Sequence, residues 1–220
     1  MTDVNLADAR ENMIEQQLRT WEVLNDRVLD VLQKLPREAF APPEYANLAY
    51  ADMQIPIGHG EVMLEPKVEG RLVQALDPQP NERVLEIGTG SGYLTCCLAH
   101  LASHVTSVEI YSEFTKGAAE SIRGQGIRNI HLETGDAALG WDDGRRYDVI
   151  AVTASLPQLH QGFHHSLTEG GRLFLIVGQP PIMEAVLVTR VGEDQWSSES
   201  LFDTSAPPLL GAPVTRHFSL

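Results

Sequence analysis

Three short stretches in the middle of the chain hold the residue types that could do chemistry. In VLEIGTGSGY, Val84 to Tyr93, a short apolar run meets Gly88, Gly90 and Gly92 at alternate positions. Glycine allows positive φ and lets a ligand approach the backbone closely. Glu86, two residues before the first glycine, sets a negative charge near the turn. Such a charge repels a pyrophosphate but attracts an ammonium or a sulfonium. About 20 residues further on, VTSVEI brings Glu109 to the end of a second apolar run, where a carboxylate can accept hydrogen bonds from both hydroxyls of a ribose. Asp136, in the sequence GDA, can accept from the exocyclic amine of an adenine. Taken singly, Glu109 or Asp136 reads as a helix cap or a solvated loop acid. Taken with the glycines, they describe a nucleoside site. The dinucleotide pattern GxGxxG fits poorly, because its third glycine falls on Tyr93, and a bulky ring obstructs close helix–strand packing.

The elements around these stretches must deliver them to one edge of a sheet. Arg83 to Ile87, Val105 to Val108, Ile130 to Glu133 and Tyr147 to Val152 read as strands, and Arg172 to Val177 as a fifth after Gly170-Gly171. Helical patterns fill Val68 to Leu76, Tyr93 to Leu101 and Ser112 to about Gln125. Repeated strand–helix alternation predicts an α/β, doubly wound, mostly parallel sheet. Glu184 to Arg190 and Ser197 to Phe202 lack a helix between them, so a C-terminal antiparallel hairpin completes seven strands. Upstream, Ile14, Leu18 and Trp21 share a helix face, and Asn25 caps a helix carrying Val28, Leu29 and Leu32 that Pro36 ends. The stretch to about Glu65, holding PIGHG with His59, reads as loop. Where open sheets of this kind bind ligands, they do so at the carboxyl ends of the strands.

Bulk properties narrow the partners. The 220 residues carry 43% hydrophobic and 21% charged residues and a formal net charge of −14, which suits a globular protein. An acidic chain whose only basic run is Arg145-Arg146 is a poor nucleic-acid binder. The two cysteines, Cys96 and Cys97, are adjacent and form no disulfide framework; they read as small core residues of a protein in the reducing cytoplasm. The N-terminus shows no signal-peptide pattern, and no apolar run reaches membrane-spanning length. His164-His165 has no third ligand at metal-binding spacing, so no metal is expected. Both read as surface residues after a helix.

VLEIGTGSGY, VTSVEI and TGDAALGW together resemble the S-adenosylmethionine-binding motifs of class I methyltransferases. More narrowly, LPREAFAPPEY, AYADMQIPIGHG, YDVIAVTAS and GGRLFLIVG resemble the protein-L-isoaspartate O-methyltransferases, from about Met13 to FDTSAPPL. The resemblance implies a Rossmann-like fold, the cofactor S-adenosyl-L-methionine, and a peptide or protein substrate carrying isoaspartyl. It implies one domain, with residues 1–65 as a helical segment and substrate-side loop and residues 66–220 binding the cofactor. It also implies cofactor contacts at Glu86, Gly88, Thr89, Gly90, Gly92, Glu109, Ile110, Asp136, Ala137, Thr153 and Ala154, with His59, Thr153 and position 64 at the transfer site. The family's loop reads close to GQTISQP, whereas this chain has GEVMLEP, Gly60 to Pro66. Leu64 stands in place of the serine and Val62 in place of a threonine, while Glu61 and Glu65 replace amides. That departure leaves a second reading open: a methyltransferase of the same fold with a changed small acceptor, or a cofactor-binding protein without isoaspartyl activity.

Overall fold

A computed structural model describes residues 5–213; residues 1–4 and 214–220, including both extremes of the expected domain boundaries, lie outside the described residues. The N-terminal part is helical. α1 (Leu6–Met13) is capped by Asn5 and runs through a π-helical turn, Ile14–Leu18, into a 3₁₀ turn, Arg19–Trp21. The Asn25 side chain accepts from the Arg27 N–H at 3.0 Å and starts α2 (Asp26–Lys34), as its position before an apolar stripe predicts. The two-proline stretch forms a 3₁₀ segment, Pro43–Leu48.

The stretch read as loop contains a two-stranded antiparallel hairpin, β1 (Ile55–Gly58) and β2 (Glu61–Met63). Its tip runs through the left-handed region: Gly58, His59 and Gly60 all have positive φ, at 107°, 53° and 84°, which the two glycines adopt freely and only His59 adopts at a cost. α3 follows at Pro66–Leu76, with proline at its first turn, where the missing N–H costs nothing.

The seven-stranded sheet comprises β3 (Arg83–Ile87), β4 (His104–Glu109), β5 (Ile130–Thr134), β6 (Tyr147–Leu156), β7 (Leu167–Gln179), β8 (Ile182–Gly192) and β9 (Gln195–Thr204), with α4 (Tyr93–Leu101) and α5 (Ser112–Gly124) in its first crossovers. Its order is β5-β4-β3-β6-β7-β8-β9. The first five strands run parallel, and β8 and β9 are antiparallel additions. This is the mostly parallel α/β sheet with a C-terminal hairpin that the alternation predicts. α2 to α5 pack over the face that carries Val84, Val105 and Val149. The opposite face, with Leu85, Ile87 and Ile150, is covered by connections that bring in Trp141, Phe163 and Leu209. Cys96 and Cys97 are free and buried in α4. No helix among the described residues is long and apolar enough to cross a membrane.

One expectation fails here. No α-helix lies between β6 and His164, which sits in a 3₁₀ turn, His164–Ser166, and is buried against the Trp196 ring rather than at the surface. Its neighbour Phe163 is fully buried among the connections that cover this face of the sheet, and the short turn carries His164 in with it.

Candidate active site

β3 lies where the strand order turns back, with β4 on one side and β6 on the other. Chains leaving β3 and β6 therefore diverge and open a crevice at the carboxyl edge. Register aligns the ends that matter. Ile87 sits beside Val108 and Val152, the Gly88 N–H donates to the Val108 carbonyl at 2.9 Å, and the Gly135 N–H donates to the Glu109 carbonyl at 2.9 Å. The crevice encloses about 660 Å³, open solvent included. Gly88, Gly90, Glu109, Ile110, Asp136, Ala137, Thr153, Ala154 and Leu64 all line it.

The turn after β3 is built around absent side chains. Gly88 has φ 98°, and a Cβ there would fall 2.3 Å from Thr153 Oγ1. That hydroxyl donates to the Ile87 and Gly88 carbonyls, 3.0 Å each. Thr153 thus clamps the turn from β6. It and Ala154 reach the crevice because the β6–β7 register shifts between Ala151 and Ser155, an irregularity that re-aims side chains.

Glu109 is nearly buried, and each carboxylate oxygen takes one backbone N–H: Oε2 from Gly90 at 2.9 Å and Oε1 from Tyr111 at 3.0 Å. The first bond ties the acid to the glycine turn, so the end of β4 and the turn after β3 form one unit. Asp136 Oδ1 accepts from the Ala138 N–H at 2.9 Å, which fixes that carboxylate at the end of β5.

Four expected contacts are placed elsewhere. Glu86 is fully buried and does not line the crevice; strand alternation turns it with Val84 toward α4, where Oε2 accepts from Thr95 Oγ1 at 2.5 Å and Ser107 Oγ at 2.6 Å. Thr89 is buried too, its hydroxyl paired with Ser107 at 2.6 Å. Gly92 serves packing, since a Cβ there would lie 3.0 Å from the Ala118 Cβ of α5. His59 is exposed at the hairpin tip, stacked on Tyr111 with centroids 4.1 Å apart and edge-on to Phe114. Those rings latch the hairpin onto the start of α5. Leu64 lines the crevice but offers no group that reacts.

Burial pushes the Glu86 carboxyl up to about 8, against the two hydroxyl donors that hold it down, with Glu109 adding to the rise. A carboxyl whose folded pKa exceeds its unfolded value stabilises the fold below the unfolded pKa, and this contribution is lost as pH rises toward 8. Wild type minus Glu86→Gln stability, from urea unfolding, is therefore expected to decline between about pH 5 and pH 8, by a few kcal/mol. A difference that is flat over this range would show that Glu86 stays ionised in the folded protein.

Sequence reasoning missed Arg37. It is fully buried, paired with Glu69 of α3, and donates to the Ala49 carbonyl at 2.7 Å and the Leu64 carbonyl at 2.7 Å. Its guanidinium also lies 4.9 Å from the Tyr93 ring centroid. The ion pair thus fixes the backbone of Leu64 beside the crevice. The C-terminal segment at Pro207 to Leu210 was missed as well. Ser155 bonds to the Pro207 carbonyl and the Leu209 N–H, which lays this segment along β6 as a crevice wall.

The charged side chains lining the crevice are Glu61, Glu109 and Asp136; no Lys, Arg or His is among the described lining residues. A glycine turn, an acid at the end of the next strand and a second acid beyond it, all at the switch point of a parallel sheet, form a nucleoside-type site on a Rossmann-like sheet. Residues 8–206 match the family Protein-L-isoaspartate(D-aspartate) O-methyltransferase (PCMT), and the chain belongs to that family. It is 38% identical over 208 residues to protein-L-isoaspartate O-methyltransferase 1 of Rhodopseudomonas palustris (strain HaA2), covering 94% of this chain and 85% of that one. It is 34% identical to protein-L-isoaspartate O-methyltransferase of Aeropyrum pernix, covering 93% and 80%. Among solved structures, a protein-L-isoaspartate O-methyltransferase superposes with a TM-score of 0.77 at 23% identity, covering 92% of this chain, which spans 66% of that one. A Plasmodium falciparum structure described as a beta-aspartate methyltransferase (PCMT) in complex with S-adenosyl-L-homocysteine gives 0.76 at 21% identity, covering 93% and 98%. At these identities the structures support the fold.

Proposed function

We propose that this protein uses S-adenosylmethionine to methylate the free α-carboxylate of isoaspartyl residues in peptides and proteins. The observation that carries the reading is the convergence of Gly88, Gly90, Glu109 and Asp136 on the crevice, next to the β1–β2 hairpin, in a chain of this family. The residues fit the cofactor. Gly88 and Gly90 leave backbone where side chains would intrude, Glu109 is fixed by two N–H donors, and Ile87, Val108 and Ile110 supply an apolar wall. Glu109 would take the ribose hydroxyls and Asp136 the adenine amine, with Ile110 and Ala137 flanking the base.

When bound, S-adenosylmethionine supplies an electrophilic methyl group on a sulfonium. The acceptor carboxylate is already a nucleophile and needs no base, so the protein's task is to orient it and exclude water. Ile57, Val62 and Leu64 on one side and Pro207 to Leu210 on the other form walls for that purpose. Thr153 holds the turn carbonyls in place between them. A peptide substrate rather than a nucleic acid suits the net charge of −14, and two buried free thiols suit a reducing cytoplasm.

The test is methyl transfer from labelled cofactor to an isoaspartyl peptide beside its aspartyl twin. Base-labile ester on the first alone is the expected result; ester on neither would overturn the reading. In a companion measurement, Glu109→Ala is expected to weaken S-adenosylhomocysteine binding by roughly 1–3 kcal/mol, as a hydrogen-bonded buried acid is lost. Calorimetry showing equal affinity would place the ribose elsewhere.

A further inference from the structure

An anionic acceptor entering this crevice meets a difficulty. On the hairpin side the wall is Ile57, Val62 and Leu64, none of whose side chains can donate a hydrogen bond. The Thr153 hydroxyl is already committed to the Ile87 and Gly88 carbonyls. No lysine, arginine or histidine lines the crevice among the described residues. One ionisable side chain stands on this wall: Glu61, the first residue of β2, half-buried, opposite Gly58 in the hairpin. Its carboxyl makes no hydrogen bond or ion pair among the described residues, so its oxygens are free toward the crevice.

We propose that Glu61 acts in its protonated form as the hydrogen-bond donor that receives the acceptor carboxylate, making it a specificity-determining residue of this site. The inference rests on the isoaspartyl reading given above. A carboxylic acid facing a carboxylate shares its proton in a short, charge-assisted bond, whereas two carboxylates repel. The groups around Glu61 favour its proton on balance. Burial acts first and the Glu109 charge at the end of β4 second, both raising its pKa, while His59 at the hairpin tip opposes them. Asp136 lines the same crevice, and Glu113 at the start of α5 lies near His59. An anionic acceptor beside Glu61 would raise its pKa further, and the sulfonium of bound cofactor would oppose that rise. During transfer a carboxylate oxygen of the acceptor bonds to the methyl carbon, the carbon–sulfur bond breaks, and its electron pair stays on sulfur. Ester and thioether leave, and Glu61 keeps its proton throughout.

The experiment is the pH profile of kcat/KM on an isoaspartyl peptide from pH 5.5 to 9, for wild type, Glu61→Gln, Glu61→Ala and Tyr111→Phe, with S-adenosylhomocysteine affinity measured at each pH. Wild-type kcat/KM is expected to fall about tenfold across whatever part of this range Glu61 ionises in, about 1.4 kcal/mol of transition-state stabilisation. Glu61→Gln, whose amide donates at every pH, is expected to hold its activity flat and exceed wild type at the alkaline end. Glu61→Ala is expected to stay low throughout. Parallel profiles for wild type, Gln and Ala would overturn the inference while leaving the function intact. So would loss of the pH dependence in Tyr111→Phe alone, which would assign the donor to the phenol that lines the same crevice. If no protein forms ester at any pH although S-adenosylhomocysteine binds, the isoaspartyl reading itself fails and the inference falls with it.

Discussion

Replacing Arg37 with alanine is expected to lower the unfolding free energy by roughly 3–5 kcal/mol, the range seen when one partner of a buried ion pair is removed. Arg37 and Glu69 are both almost wholly shielded from solvent. Without the guanidinium, the Glu69 carboxylate keeps the cost of burial and loses the charge that offsets it. Two carbonyls, of Ala49 and Leu64, lose their donors as well. The loss is a large part of the roughly 5–15 kcal/mol that holds a typical domain folded. It should also depend on pH. Burial raises the Glu69 pKa and Arg37 opposes the rise, so the variant's Glu69 binds a proton more tightly still. Stability from such a group is present below its unfolded pKa and lost as pH rises; the deficit is therefore smaller at pH 5 than at pH 8. Urea unfolding at both values tests this. Arg37→Met with Glu69→Leu, which removes both charges and keeps much of the volume, is expected to recover more than half of the loss. A single-variant deficit under 1 kcal/mol would mean that water reaches Glu69 and that Leu64 is held by something else.

Arg37 also marks where the sequence stopped being readable. Its partner is 32 residues away, and nothing local distinguishes a buried arginine from a surface one. The strand–turn–helix from Arg83 to Leu101 was legible to the residue, because an apolar run, alternate glycines and a buried helix follow in order, each with its own local signal. The β1–β2 hairpin was not. Its strands are four and three residues long, one begins with Ile55-Pro56, and its tip puts a histidine at positive φ between two glycines. That conformation is stabilised by ring contacts to Tyr111 and Phe114, more than 50 positions downstream in the chain, which a window reading cannot see.

Glu86 was misplaced for a simpler reason. Its charge and its nearness to the glycines suggested a ligand contact, but strand parity assigns it to Val84's face, under α4. The same parity could have been used in advance. Glu109 ends its strand, so it is free to turn along the edge and bond the glycine turn. The two acids thus part company by position within a strand: one lies beneath the turn, the other lines the crevice above it.

Gly88→Ala is expected to cost about two orders of magnitude in S-adenosylhomocysteine affinity, about 2.7 kcal/mol. Two effects combine. At φ 98° an alanine is strained whatever the space, in a region that only glycine enters freely. The new Cβ would also stand 2.3 Å from Thr153 Oγ1, and moving that hydroxyl breaks its bonds to the Ile87 and Gly88 carbonyls, each worth about 1 kcal/mol. Both effects displace the backbone that the ligand approaches. They can be separated. Thr153→Ala removes the clash but not the backbone strain, so the double variant Gly88→Ala with Thr153→Ala should bind more tightly than the sum of the single losses allows, by about 1 kcal/mol of coupling. Calorimetry on the four proteins measures it. Strict additivity would mean that the turn is held by the Gly88 N–H to Val108 and the Gly90 N–H to Glu109 alone, with Thr153 merely adjacent. Undiminished affinity in Gly88→Ala would move the cofactor away from this turn and undo the assignment of Glu109 to its ribose, because the Gly90 bond ties the two together.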